Sequence, residues 1–92
     1  MIRYDPAKRE ANLEKHGLDL AIAESVLAGT TLTIEDAREA YGEVRLQTLG
    51  TWNGMVVFMV HTPRDDADHI ISIRRANKHE ANYYWSQYPR PR

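Results

Sequence analysis

Arg74 and Arg75 stand where an apolar run, Ile70-Ile71-Ser72-Ile73, gives way to Asn77-Lys78-His79-Glu80. The isoleucines suit a pleated, largely buried strand, and Asn77 with Glu80 three residues on is a capping-box pattern for a helix start. Both guanidiniums therefore leave the end of a rigid strand, and the planar fork of donors on each fits the oxygens of a phosphate. Glu43 and Arg45 are two apart in the alternating run Glu43-Val44-Arg45-Leu46-Gln47. On a strand they share one face with Gln47, opposite Val44 and Leu46. By the same rule Arg74 shares its face with Ser72 and Ile70. If Glu43 and Arg45 flank Arg74, a carboxylate able to take a proton lies beside cations able to hold the charge of a phosphate. Arg64, on the turn before the last strand, is placed to join them. His16 is a second candidate proton acceptor.

Each of these residues also has a plainer reading. Glu43 and Arg45 would make an ordinary cross-strand pair on a solvated sheet face, where such pairs contribute little. Lys15 and His16 fit a helix C-terminus, where positive groups complement the helix dipole. His61, closing an apolar strand, reads as a satisfied histidine at the edge of the core, and His79 as a surface residue. The four histidines show no tight ligand spacing, and no metal site or cofactor is expected. Tyr84 and Tyr88 are at helical spacing and fit packing as well as stacking on bases. Trp52, beside Asn53-Gly54, is either an interface anchor or simply packed.

These side chains need elements to hold them. Ile2-Arg3-Tyr4 is a candidate first strand. Asp5 as N-cap and Pro6 at the first helical position open a helix that runs to about His16, with Gly17 after its C-cap. A second helix is expected from Asp19 to about Gly29, with Leu20, Ala23, Val26 and Leu27 as its apolar stripe. Thr31 to Ile34 is a candidate strand, followed by a loop through Gly42. Asn53-Gly54 is a strong hairpin signal, and Met55 to Val60, apolar on both faces, reads as a central strand. Pro63 to Asp68 reads as a polar turn. A last helix from Lys78 to about Tyr88 stops before Pro89, and Arg90-Pro91-Arg92 is expected to be a loose tail. The pattern gives an α+β domain with two N-terminal helices, an antiparallel sheet of three to four strands and a C-terminal helix.

Ninety-two residues make one domain with a single small core. Hydrophobic residues at 42% and charged residues at 27% are ordinary for a globular chain. With no cysteine, disulfides and thiolate metal sites are excluded. No apolar run approaches the roughly 20 residues that span a bilayer, and the amino terminus lacks a secretory pattern. A cytoplasmic location, with no membrane contact, is expected. The net charge of −1 is unevenly spread: residues 1–42 carry five Lys/Arg against eight Asp/Glu, and residues 43–92 carry seven against five. That balance argues against coating long stretches of nucleic acid and permits a compact basic cleft for one or two phosphates.

An ordered set of short motifs covers nearly the whole chain: Tyr4-Asp5-Pro6-Ala7-Lys8, Asn12, Lys15-His16-Gly17, Gly42-Glu43-Val44-Arg45, Thr62 with Arg64, Ile70-Ile71-Ser72, Arg74, Ala76, Glu80 and Tyr84. In these the sequence resembles the BrnT family of bacterial type II toxins. The resemblance implies a RelE-like fold and a ribonuclease that arrests translation. It also implies a BrnA-type antitoxin that neutralises the toxin, binds operator DNA as the complex, and bridges a toxin homodimer. Under it, Glu43 or His16 is the expected base and Arg45, Arg64 and Arg74 the stabilising cations, for a metal-independent cleavage. Lys8, Lys15, His69, Arg75 and Tyr84 are the expected RNA contacts. The chain departs from the family pattern at Tyr4, at His69 before Ile70-Ile71-Ser72, at Ile73 before Arg74, and in the acidic loop Asp65-Asp66-Ala67-Asp68, whose charge would repel passing phosphates.

Two other functions fit the residues. One is a non-catalytic interaction module whose basic cleft docks an acidic protein segment. The other is an RNA binder without cleavage, which the weak net charge favours least.

Overall fold

A computed structural model describes residues 1–36 and 42–89. The expected loop before Gly42 lies partly, and the tail Arg90-Pro91-Arg92 wholly, outside the described residues. Five strands form one sheet: β1 (Ile2–Arg3), β2 (Leu32–Glu35), β3 (Leu46–Trp52), β4 (Met55–Arg64) and β5 (Ala67–Arg75), in the spatial order β1-β5-β4-β3-β2. Helix α1 spans Pro6–His16, α2 spans Ala23–Ala28 after a short 3₁₀ turn at Leu20–Ile22, and α3 spans Lys78–Gln87. The α+β class and the C-terminal helix are as expected. The sheet is larger and is mixed, because the two-residue β1 pairs in parallel with Asp68 and His69 of β5. The candidate strand at Ile2-Arg3-Tyr4 is thus present over Ile2–Arg3, and its parallel partner, Asp68 and His69, lies too far along the chain for the sequence to announce.

Local chemistry sets the element ends. The Asp5 carboxylate accepts from the Ala7 N–H at 2.8 Å, and Pro6 follows it. Gly17 takes φ +71°, a left-handed conformation that glycine adopts without steric penalty, and its N–H returns to the Leu13 carbonyl at 2.8 Å. Asp19 accepts from Ala21 at the 3₁₀ turn. Asn53 and Gly54 both have positive φ, the type I′ geometry that matches strand twist. Asn77 and Glu80 complete the reciprocal capping box at α3.

The register sorts side chains onto two faces, since paired residues share a face. Thr33, Thr48, Met59 and Ile73 form one row, and Gly50 and Val57 lie on the same side. This side meets the N-terminal helices, so that Leu20, Ala23 and Val26 pack on Val57, Met59, Ile70 and Ile73. At Gly50 the strand passes so close to α2 that an added Cβ would stand 2.6 Å from Val26 Cγ1. Leu32, Leu49, Phe58 and Arg74 form a row on the opposite side, followed by Ile34, Gln47, Val60 and Ser72. Helix α3 lies over part of this second face, and no other described helix covers the rest. Trp52 is half-buried and packs against the core cluster.

Three further sequence expectations change. Strand β3 begins at Leu46, so Glu43 and Arg45 precede it rather than alternate along it. The segment expected as a polar turn is mostly strand, with only Asp65 and Asp66 left between Arg64 and Ala67. A bulge then shifts the register: Val60 pairs with Ser72 but His61 with Ile70, leaving Ile71 as the extra residue. Ile70 is therefore in the core, on the face opposite Arg74, and does not share its side.

Helix α1 lies along the open edge of β5 beyond β1. The Asn12 side chain is buried there and pairs with Ile73 as a neighbouring strand would: Nδ2 donates to the Ile73 carbonyl at 2.9 Å, and Oδ1 accepts from the Ile73 N–H at 3.1 Å.

Candidate active site

Arg64 ends β4 and reaches back to Glu43, with Nη2 at 3.1 Å from Oε1 and 2.9 Å from Oε2. The Thr62 hydroxyl donates to the Val44 carbonyl and lies 3.5 Å from Glu43 Oε2, which fixes the segment carrying the carboxylate. Arg64 pulls the Glu43 carboxyl below its ordinary range, chiefly by this hydrogen bonding, and partial burial opposes the shift. The Arg45 guanidinium adds a smaller electrostatic pull, which places its charge nearby. The Arg45 carbonyl accepts from the Asp36 N–H at 2.7 Å and extends the pairing of β2 with β3 past Leu46. Glu43 and Arg64 therefore form a pair, with the Arg45 charge within electrostatic reach of the carboxylate.

Arg74 stands elsewhere on the same sheet face. Its Nη1 and Nη2 contact the two Glu80 oxygens at 2.8 and 2.9 Å, and its guanidinium lies 4.2 Å from the centre of the Phe58 ring. Glu80 accepts in addition from the Asn77 N–H, so the capping box of α3 also anchors Arg74. The Glu80 carboxyl is held below its ordinary range, first by Arg74. Phe58, the partner of Arg74, is four residues from Thr62 along β4, roughly 13 Å at strand spacing. Glu43 and Arg45 thus do not flank Arg74. Because β3 starts late, Glu43 packs on the far end of β4, with the row of Ser72, Val60, Gln47 and Ile34 between the two centres.

A basic track approaches Arg64 along the edge of β5. One shallow groove between α1 and this edge is lined by Lys8, Asn12, Lys15, His16 and Ser72. An adjoining recess is lined by Lys8, Arg64 and His69 together with Tyr4 and Asp5. Lys8 lines both, so Lys15 and His16 border one recess and His69 and Arg64 the one adjoining it. His69 Nε2 is buried without a hydrogen-bond partner among the described residues. Arg75 is exposed near the β3–β4 hairpin and borders a separate recess with Trp85. Tyr84 is only 3% exposed, and its hydroxyl donates to the Thr30 carbonyl at 2.7 Å. Burial raises its phenol above the ordinary range. Its ring ties α3 to the chain entering β2, whereas the neighbouring Tyr83 is exposed.

On the helix-facing side a second polar constellation crosses four strands. The His61 Nδ1 lies 2.8 Å from Asp68, its Nε2 is 2.6 Å from the Thr48 hydroxyl, and Thr48 is 2.7 Å from Thr33. With Nδ1 donating to the carboxylate, a neutral ring accepts at Nε2, so Thr48 donates to it and Thr33 to Thr48. The order Thr–His–Asp is that of a hydrolytic triad, but Thr48 has no exposure and His61 only 2%. A substrate has no access, and the chain ties strands together. It also commits Asp68, one acid of the loop expected to repel RNA, to an internal partner.

The sequence marks Thr62 only as a motif partner of Arg64 and assigns it no contact, because the expected turn from Pro63 hides the strand that carries both. The alternation of Phe58, Val60, Thr62 and Arg64 was the available signal. Among the described residues no three His, Asp or Glu side chains gather as ligands for a metal ion, and no helix is long and apolar enough to cross a membrane.

No curated protein matches the sequence. The family model for BrnT, the ribonuclease toxin of type II toxin-antitoxin systems, matches residues 4–80, which include both arginine centres and the basic track, and the chain belongs to that family.

Proposed function

We propose that this toxin cleaves RNA without a metal ion, at the end of β4 where Glu43, Arg45 and Arg64 meet. The observation that carries the reading is the Glu43–Arg64 pair, a carboxylate and a phosphate-binding cation in one place, at the end of a basic track. In the resting protein Arg64 holds Glu43 ionised and weakens it as a base. A phosphate that draws Arg64 to itself releases the carboxylate, which then accepts the proton of the adjacent 2′-hydroxyl. The 2′-oxygen attacks phosphorus, the bond from phosphorus to the 5′-oxygen breaks, that oxygen takes a proton from water, and Glu43 returns its proton to solvent. The products are a 2′,3′-cyclic phosphate and a 5′-hydroxyl. Arg64 and Arg45 hold the charge that builds on the phosphoryl oxygens, and Arg74 holds the strand farther along the face. Lys8, Lys15, His16 and His69 guide the backbone in. His16 lies at the far end of that track, which favours Glu43 as the base.

Type II systems pair such a toxin with an antitoxin. The reading here is a BrnA-type protein that covers the basic face, holds two toxins in one assembly and carries the complex to operator DNA. Uninhibited, the toxin arrests translation in the cytoplasm. The test is cleavage of purified RNA in excess chelator. Wild-type protein cuts, and Arg64→Ala and Glu43→Ala lose on the order of 100-fold or more. Intact cleavage by both variants overturns the assignment, and RNA binding without cleavage by wild type makes the protein a binder.

A further inference from the structure

We infer that the recess between α3 and the open sheet face is a nucleobase site, and that it gives the toxin a sequence preference beside its cutting centre. The inference rests on the proposed reading that RNA lies on this face. The row Leu32–Leu49–Phe58 forms the floor, Ile34 extends it, and Tyr83 of α3 forms a wall around a space of about 190 Å³. The lining is almost wholly apolar, and Gln47 and Glu80 are the residues on it with an amide or a charge.

Three features favour a base over a protein side. The space is smaller than a drug-sized pocket and suits one flat heterocycle. Tyr83 is 56% exposed, although its neighbour Tyr84 is buried, so α3 presents one aromatic ring to solvent at the mouth of the recess. Aromatic faces stack on unpaired bases with little regard to sequence, and convergent polar groups then discriminate among them. Finally, the cation that ends the floor row is Arg74, so a nucleotide whose base enters the recess has its phosphate next to a guanidinium. Gln47 offers an adjoining donor and acceptor to the base edge. Both Glu80 oxygens already receive Arg74, and one also receives Asn77, which leaves Gln47 as the reader. Only the row containing Gln47 separates this floor from the level of Thr62, so a base held here positions the neighbouring linkage toward Glu43 and Arg64.

The test is an NMR titration of the antitoxin-free toxin with each of the four nucleoside 3′-monophosphates, and separately with ribose 5-phosphate, following the methyl groups of Leu32, Ile34 and Leu49. At least one nucleotide is expected to shift these methyls, with unequal affinities among the four, while ribose 5-phosphate leaves them unmoved. Tyr83→Ala is expected to weaken the best nucleotide about tenfold, Tyr83→Phe to retain it, and Gln47→Ala to narrow the differences among bases. No shift with any nucleotide at millimolar concentration overturns the inference. So does an equal response to ribose 5-phosphate, or a response only to added antitoxin, which would make the recess a protein-docking surface. Mononucleotides carry no linkage to cut, so the result stands apart from cleavage. Failure of the chelator assay with base binding intact would remove the nuclease and leave the site.

Discussion

Glu43 and Glu80 each face an arginine, yet the two pairs do different work. Glu80 sits between a helix cap and Arg74, so its charge supports the fold as well as the site. A carboxyl held below its ordinary value of 4.5 contributes stability above that value and loses it as pH falls through its folded pKa. Glu80→Gln is therefore expected to destabilise by about 1 kcal/mol at neutral pH. Thermal unfolding across pH should show the gap between variant and wild type closing below 4.5. A gap unchanged in acid would mean that the charge of Glu80 is not what stabilises. Glu43 is the exposed counterpart, and its shift comes first from Arg64. Arg64→Ala is expected to raise the carboxyl midpoint toward 4.5, read from its carbon resonance. An unmoved midpoint would show that the pair does not form in solution. At this scale the sequence announced the chemistry but not the pairing. Residue types named Arg64, Arg74 and Glu43 as candidates, while the partner Glu43 takes depends on where β3 begins, and Arg74 turns to the Glu80 of the adjoining cap.

The elements show where that pairing is decided. Asp5-Pro6, Asn53-Gly54 and Asn77 with Glu80 were legible because each satisfies its own backbone within a few residues. The parallel pairing of Ile2–Arg3 with β5, the bulge at Ile71 and the late start of β3 were not, because each is set by a partner far along the chain. Asn12 is the clearest case: a polar residue in a helix whose purpose appears only beside Ile73. Asn12→Ala strands two backbone groups of the edge strand and is expected to cost about 2–3 kcal/mol in denaturant unfolding. A loss below about 0.5 kcal/mol would mean that water replaces the amide readily. Gly50 marks the closest approach of α2 to the sheet. Gly50→Ala is expected to cost about 1–3 kcal/mol by forcing Val26 aside. In the Val26→Ala background the same change should cost markedly less, and equal costs in both backgrounds would place the strain elsewhere.

Taken whole, the two faces of the sheet differ, and on the proposed reading one serves stability and the other RNA. One face is closed by the N-terminal helices and by the Thr33–Thr48–His61–Asp68 chain. The other carries two arginine centres, the recess under α3 and, at its edge, the basic track beside α1. The α+β class followed from hydrophobic periodicity together with cap and turn signals, and the family from its ordered motifs. The division of labour between faces required the register. The central claim is that the toxin cuts RNA by turning the substrate's own 2′-hydroxyl on the phosphate, using side chains at the end of β4. The most direct measurement is the chemistry of the ends left when a defined RNA is cut in excess chelator. The account predicts a 2′,3′-cyclic phosphate on the upstream fragment and a 5′-hydroxyl on the downstream one; a 3′-hydroxyl with a 5′-phosphate would contradict it.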